Sequence, residues 1–289
     1  MYKFRPIRKT LVWGTEDWVL SGVPGNESVV AEGPDAGRKI TEIWPGEFPL
    51  LIKFIDAQRD LSIQVHPDDA LAARRHGCKG KTEMWYIIDA RPGASLISGL
   101  KAPLTPDEYV RRVADDSITE VLASHSVSAG DVFFLPAGRI HAIGGGCRLA
   151  EIQQTSDITY RIYDYNRPGL DGKPRQLHTE LAKDAIDYKV YDGYRTRYEP
   201  SVGKDVLLVD CKCFRTTLLD LDAPFAKPLL GCGDFLIVIG LEGEGGLRCG
   251  AEACRVAPGE AVLVPAAGGG ELVLDPSGPK MKVLTTCVP

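Results

Sequence analysis

Three short stretches hold the residue types that divalent-metal chemistry needs. They are Leu61-Ser62-Ile63-Gln64-Val65-His66-Pro67-Asp68, Lys81-Thr82-Glu83, and the run from Gly130 through Pro136 and Gly138 to His141. Side chains two apart on a strand point the same way, so Gln64 and His66 face a common interior while Ile63 and Val65 pack behind them. Glu83 and His141 come from later strands. Together they offer two imidazoles, a carboxylate and an amide oxygen, a mixed nitrogen and oxygen set suited to one divalent ion per chain, such as Zn2+. Lys81, two residues before Glu83, shares its strand face and brings an ammonium beside the metal.

The elements that must position these groups are short apolar runs broken by Gly, Pro and Asp, as in an all-β protein. Leu50 to Ile55, Met84 to Ile88, Val132 to Leu135, Phe235 to Ile239 and Ala261 to Val264 each fit one strand. The pattern changes near residues 105–124. Thr105-Pro106-Asp107-Glu108 combines an N-cap hydroxyl, Pro at the first helical position and Glu three residues after the cap, which predicts a small helical insertion. Tyr109, Val110 and Val113 form its apolar side.

A weak repeat relates Ala129-Gly130-Asp131-(VFFL)-Pro136-Ala137 to Pro258-Gly259-Glu260-(AVLV)-Pro265-Ala266, so each half closes a similar β structure. The second copy has no His after its Pro. The polar stretch from Tyr191 to Lys204 interrupts the apolar patterning and places a boundary near residue 200. This gives a metal-binding domain over 1–200 and a C-terminal β-sandwich over 201–289 without metal ligands.

The chain has 289 residues, 44% hydrophobic and 25% charged, an ordinary globular composition. A formal charge of -5 argues against a nucleic-acid surface, leaving room only for a local basic pocket. No secretory h-region and no apolar run long enough to span a membrane occurs, so a cytoplasmic protein is expected. Eight scattered cysteines, with no CxxC pair, read as free thiols in a reducing compartment. His76, in a basic turn, His125 and His178 read as polar surface residues. Gly243 to Gly246 and Gly268 to Gly270 read as turns.

The Gly130, Pro136, Gly138, His141 pattern resembles the second motif of the cupin superfamily of small β-barrels. The Gln64-Val65-His66-Pro67 stretch, with Glu83 in Lys81-Thr82-Glu83-Met84-Trp85-Tyr86 and the run from Glu151-Ile152-Gln153-Gln154 to Arg161-Ile162-Tyr163-Asp164-Tyr165, is similar to type I mannose-6-phosphate isomerases, zinc enzymes within the cupins, in their short bacterial form. That resemblance implies an all-β fold of two cupin-like β-barrel or jelly-roll domains with the small helical insertion. It implies zinc on Gln64, His66, Glu83 and His141 and a catalytic arginine at Arg161. Glu151 is then an acid or base, or else the group that holds a zinc ligand or Arg161 in place. The resemblance also sets Lys81 in the active site and makes Ser62 and Lys53 contacts for a substrate phosphate. In one respect the chain departs: after His141 the cupin motif runs on to an Asn, whereas here Ile143 leads into Gly144-Gly145-Gly146-Cys147, a run expected to loosen the rim of the site.

The activity so implied is aldose-ketose isomerisation between mannose 6-phosphate and fructose 6-phosphate through a cis-enediol, with a phosphosugar as the only small-molecule partner and a monomer or homodimer as the assembly. A metal-dependent cupin oxygenase with iron at the same ligands is the first rival. The second is a non-catalytic sugar-phosphate-binding cupin that keeps the metal as a clip.

Overall fold

The computed structural model describes residues 1–266 and 268–289. It is an all-β protein built from antiparallel sheets with a few short helices. The chain divides into two compact units, one formed by Arg8–Trp18 and Leu50–Arg195, the other by Met1–Ile7, Val19–Pro49 and Thr196–Pro289. Residues 1–7 and 19–49 thus group with the C-terminal segment, where the sequence places them in the first domain.

In the first unit, one sheet contains the strands Val132–Leu135, Glu83–Ala90, Cys147–Gln154, Leu50–Ala57, Gly14–Leu20 and Ile7–Leu11 in that order. A second sheet runs Tyr160–Tyr163, Ile63–Val65, His141–Ile143, Ser95–Leu100 and Leu122–Ser126. Trp85, Ile87, Phe133 and Leu149 of the first sheet meet Leu96 and Ile143 of the second in one buried cluster. On the second sheet the alternation puts Ile63, Val65, Ala142, Tyr160 and Ile162 on the opposite face. There they pack with Tyr109 and Val113 of the helix Pro106–Ala114. The helix begins as its sequence predicts, with the Thr105 hydroxyl accepting from the Glu108 amide at 3.2 Å. It is followed by a 3-10 turn, Ile118–Val121, and Leu122 already starts a strand.

A second helix, Asp69–His76, was not legible in the run after His66. Its signals are local: the Asp68 carboxylate accepts from the Leu71 amide at 2.7 Å, and Gly77 closes it in the left-handed region at φ 65°.

In the other unit a sheet of seven strands runs Asp205–Asp210, Arg215–Leu221, Met281–Cys287, Phe235–Glu242, Ala261–Pro265, Tyr2–Arg5 and Val29–Val30. A sheet of four runs Phe225–Pro228, Glu271–Pro276, Gly245–Cys249 and Glu252–Val256. Leu219, Val238, Val262 and Val283 of the first share a core with Leu247, Leu272 and Leu274 of the second. The repeat is visible in backbone detail. Gly130 and Gly259 both adopt positive φ, Asp131 and Glu260 donate backbone bonds three residues back at 3.1 Å, and their side chains accept from Ser128 and Ala257 at 2.9 Å. Among the described residues no helix is long and apolar enough to cross a membrane.

Candidate metal centre and basic cavity

Strand register brings the site together. In the second sheet Arg161 pairs with Gln64, and Gln64 with His141, so three side chains separated widely in sequence form one row. In the first sheet Lys53 pairs with Glu151 and Glu151 with Trp85, a second row, and Glu83 lies two residues before Trp85 on the same face. His66 follows directly on Gln64-Val65, and its carbonyl accepts from the Gly138 amide at 2.9 Å. That bond ties the His66 turn to the turn that delivers His141.

His66, Glu83 and His141 converge, with one ligand atom from each inside a mutual spacing of 4.8 Å. The His66 and His141 Nε2 atoms are 3.2 Å apart, and Glu83 Oε1 is 3.2 Å from His141 Nε2. The amide of Gln64 lies 3.3 Å from the same nitrogen. Proton placement follows from the other ring nitrogens. His66 Nδ1 faces the Ile158 carbonyl at 2.8 Å and His141 Nδ1 faces the Arg139 carbonyl at 2.7 Å. Carbonyls only accept, so both Nδ1 atoms carry the hydrogen, and each neutral ring turns a bare Nε2 lone pair inward.

Burial disfavours the charged imidazole, lowering the pKa of His141 to about 4 and that of His66 well below its usual value. Burial also raises the pKa of Glu83, helped by the nearby charge of Glu151. Both Glu83 carboxyl oxygens are buried without a hydrogen-bond partner. Lys81 Nζ approaches one of them at 3.1 Å. Lys81 offsets one oxygen of the carboxylate, but Glu83 Oε1 and two bare imidazole lone pairs still point at one spot with no donor, an arrangement that is costly unless a cation sits among them. The donor set therefore fits a divalent metal, with Gln64 able to present its oxygen as a fourth ligand after a half-turn of its amide.

Beside this cluster lies a cavity of about 260 Å³. Its wall carries five basic side chains, Lys9, Lys53, Lys81, Arg161 and Arg175, against three acidic ones, Glu16, Glu151 and Asp157. A positively biased cavity in a protein of net charge -5 is a place for an anion. Ser62 and Gln64 also line it.

Lys53 is a buried charge rather than a solvated one. Its ammonium donates to Glu151 Oε1 at 2.8 Å and lies 3.8 Å from Glu16. Burial would lower the Lys53 pKa, but the charges of Glu151 and Glu16 outweigh it and hold the ammonium firmly protonated. Glu151 Oε2 accepts from Trp85 Nε1 at 2.8 Å. Burial would raise the Glu151 pKa, yet Lys53 and Lys81 outweigh it and keep the carboxylate ionised.

Arg161 donates through one terminal nitrogen to the Gln176 carbonyl at 3.0 Å and leaves its buried Nε without a partner. Asp164, three residues on, bonds Arg167 and Arg175 instead. A strand-like exchange with His178 holds the Arg161 backbone: the Arg161 amide donates to His178 Nδ1 at 3.0 Å and the His178 amide to the Arg161 carbonyl at 2.7 Å.

Several sequence readings need correction. His178 is therefore a half-buried partner of Arg161 and not a surface bystander; His76 is exposed, as read, and also hydrogen-bonds the Tyr160 hydroxyl at 2.7 Å. The glycine run after Ile143 is bound, not loose. A Cβ on Gly144 would lie 2.0 Å from the Ser95 carbonyl oxygen, and the Gly145 and Gly146 amides donate to Asp60 at 2.8 Å and Ala57 at 2.7 Å. Glycine is required there for close backbone approach. Lys9 and Trp18, with the Lys9 ammonium 3.7 Å from the ring centroid, belong to the cavity without any motif to announce them.

Comparison with known proteins bears on this arrangement. Mannose-6-phosphate isomerase ManA of Bacillus subtilis is 33% identical over 303 residues, covering 94% of this chain and 95% of that relative. The chain belongs to the phosphomannose isomerase family. The model of the type I phosphomannose isomerase catalytic domain matches residues 15–89, the stretch that contains Lys53, Ser62, Gln64, His66, Lys81 and Glu83. Another member of the family, the mannose-6-phosphate isomerase of Streptococcus mutans, is 33% identical over 271 residues, 86% of this chain and 82% of its own. The crystal structure of the mannose 6-phosphate isomerase from Bacillus subtilis superposes with a TM-score of 0.88 at 29% identity, covering 99% of this chain and 98% of that one.

Proposed function

We propose that the protein is a zinc-dependent aldose-ketose isomerase that interconverts mannose 6-phosphate and fructose 6-phosphate through a cis-enediol. The observation that carries this reading is the juxtaposition of a buried His66, Glu83, His141 donor cluster with a basic cavity in one unit of a family member. Gln64, His66, Glu83 and His141 hold the metal. When bound there, it supplies Lewis-acid polarisation of the sugar oxygens and eases removal of the carbon-bound proton between them.

The remaining chemistry belongs to the chain. Lys53 and Ser62 bind the phosphate, a role for which a protonated lysine and a hydroxyl suffice. Arg161, whose Nε has no protein partner, and Lys81 offset negative charge developing on the sugar oxygens. Of the two roles open to Glu151, we assign positioning. Both of its oxygens already accept, from Lys53 and Trp85, and a carboxylate held ionised in this way is a weak base. It fixes Lys53 in the wall.

The reading places catalysis in the unit of Arg8–Trp18 and Leu50–Arg195, and gives the other unit no metal ligands. Steady-state kinetics on mannose 6-phosphate tests these roles. Arg161→Met lowers kcat with metal content intact, whereas Lys53→Met and Ser62→Ala raise KM for the phosphosugar; loss of bound zinc in Arg161→Met, or unchanged KM in both phosphate-site variants, would remove the assignments.

A further inference from the structure

The strands of the first unit recur in the other in the same chain order and the same sheet order. Gly14–Leu20, Leu50–Ala57, Cys147–Gln154, Glu83–Ala90 and Val132–Leu135 are matched by Asp205–Asp210, Arg215–Leu221, Met281–Cys287, Phe235–Glu242 and Ala261–Pro265. In the facing sheets, Ile63–Val65, His141–Ile143, Ser95–Leu100 and Leu122–Ser126 are matched by Phe225–Pro228, Glu271–Pro276, Gly245–Cys249 and Glu252–Val256. Backbone bonds fix the residue register, since the Gly130 amide donates to the Ile87 carbonyl at 2.8 Å and the Gly259 amide to the Gly240 carbonyl at 3.0 Å. Cross-strand pairing carries the match onward. Glu83 pairs with Leu135 as Leu236 does with Val264, Glu151 with Trp85 as Thr285 with Val238, and Lys53 with Glu151 as Thr217 with Thr285. Leu236, Thr285 and Thr217 therefore stand where Glu83, Glu151 and Lys53 stand.

All three of these residues line a cavity of about 280 Å³. Its polar wall follows the plan of the first cavity with different residues. There the Lys53 ammonium bonds Glu151 and lies near Glu16 of the flanking strand. Here the Thr217 and Thr285 hydroxyls bond each other at 2.7 Å, and the ammonium comes from buried Lys227, on the strand that matches Ile63–Val65. Lys227 Nζ donates to Thr217 Oγ1 at 3.3 Å and to Asp205, which is on the strand that matches that of Glu16. Leu236 in place of Glu83 offers no metal ligand. Arg215 lines the same wall, and its Nε lies 3.6 Å from Asp210, too far for a hydrogen bond.

Such a wall suits a ligand that carries hydroxyls and an anionic group. Ligand hydroxyls can donate to the Asp205 carboxylate and accept the remaining proton of Lys227, while the Arg215 fork matches a phosphate. Lys227 and Arg215 against Asp205 leave the wall one positive charge in excess, in a protein of net charge -5. We propose that this cavity is a second, metal-free binding site for a sugar phosphate, which it holds without isomerising. The ligand class rests on the isomerase reading of the first cavity, whereas the location of the site rests on strand register alone.

Hydrogen exchange read by mass spectrometry on the full-length, zinc-loaded protein tests this, with mannose 6-phosphate, mannose and inorganic phosphate as separate probes. The expected result is that mannose 6-phosphate slows exchange in both units, the slowed segments of the other unit lying within residues 205–236 and 281–289. Mannose or inorganic phosphate alone leaves those segments unchanged at the same concentration. Arg215→Met raises the concentration needed for protection there about tenfold, as loss of a charge-assisted bond should, with protection of the first unit and kcat unaltered. The site is overturned if protection stays within the first unit at concentrations that saturate it, if mannose or inorganic phosphate protects the other unit as well as the sugar phosphate does, or if Arg215→Met changes nothing. A protein that does not turn over mannose 6-phosphate yet is protected at 205–236 keeps this site and loses the isomerase reading. Turnover with protection of the first unit alone does the reverse.

Discussion

At the scale of single residues the site is a problem of unsatisfied groups. Glu83 is fully buried; Lys81 lies 3.1 Å from its Oε2, while Oε1 has no donor and two imidazole lone pairs face it. Replacing Glu83 by Gln removes the one anionic ligand of the set. We expect zinc bound per chain, measured by elemental analysis, to fall well below one, with kcat/KM reduced at least ~100-fold, the upper range for disturbing even an outer partner of a metal ligand. The Lys53–Glu151 pair behaves differently. Lys53→Met strands the Glu151 carboxylate in the interior with Trp85 as its remaining partner, a change expected to cost about 3–5 kcal/mol in denaturant unfolding. Adding Glu151→Leu should recover part of that loss, since the stranded carboxylate is gone, although Trp85 Nε1 loses its acceptor and Glu16 its lysine.

Which of these residues the sequence reveals follows from their separation. Gln64 and His66 share one strand and its immediate extension, so a two-residue period is enough to read them. The Lys53–Glu151 bond joins residues 98 apart through the register of two strands, and no periodicity carries that information. Arg161 was named by resemblance, but its support from His178 was hidden for the same reason.

At the scale of elements, turns and strand ends decide where the ligands point. The run Gly144 to Gly146 brings the backbone after His141 against Ser95 and Asp60. Gly144→Ala forces the chain apart at a 2.0 Å contact, and we expect a loss of about 1–3 kcal/mol, seen as a lower midpoint in thermal unfolding. The segment after Arg161 is pinned by charge. Burial would raise the Asp164 pKa, but Arg175 and Arg167 outweigh it, so the folded value lies below the ordinary carboxylate range. A group with a depressed folded pKa contributes stability that is fully present above its unfolded value, ~4, and is lost as pH falls through the folded one. Unfolding measured against pH should show the gap between the unaltered protein and Asp164→Asn to be constant above pH ~5 and to narrow at lower pH. A gap independent of pH would mean that the ion pairs contribute nothing.

The elements themselves were largely legible. Helix Pro106–Ala114 has its cap, proline and apolar stripe in one short window. Helix Asp69–His76 has a cap and a closing glycine as well, but it is short and its second half, Ala73-Arg74-Arg75-His76, carries no apolar stripe. The strands were readable as apolar runs; their order in the sheets was not, because pairing depends on contacts far apart in the chain.

At the scale of the whole molecule, 289 residues supply two compact units, and all the proposed metal ligands and phosphate contacts fall in one of them. The other unit has its own core and its own cavity. Because the proposed metal site exists only in the folded unit, zinc bound there would add to its stability. Chelation should lower the thermal midpoint as well as abolish turnover, and zinc should restore both. The direct measurement of the central claim is a coupled assay converting mannose 6-phosphate to fructose 6-phosphate before chelation, after it, and with zinc added back. Activity lost to the chelator and regained with zinc is the predicted result; a folded, zinc-loaded protein that does not turn over mannose 6-phosphate would contradict it.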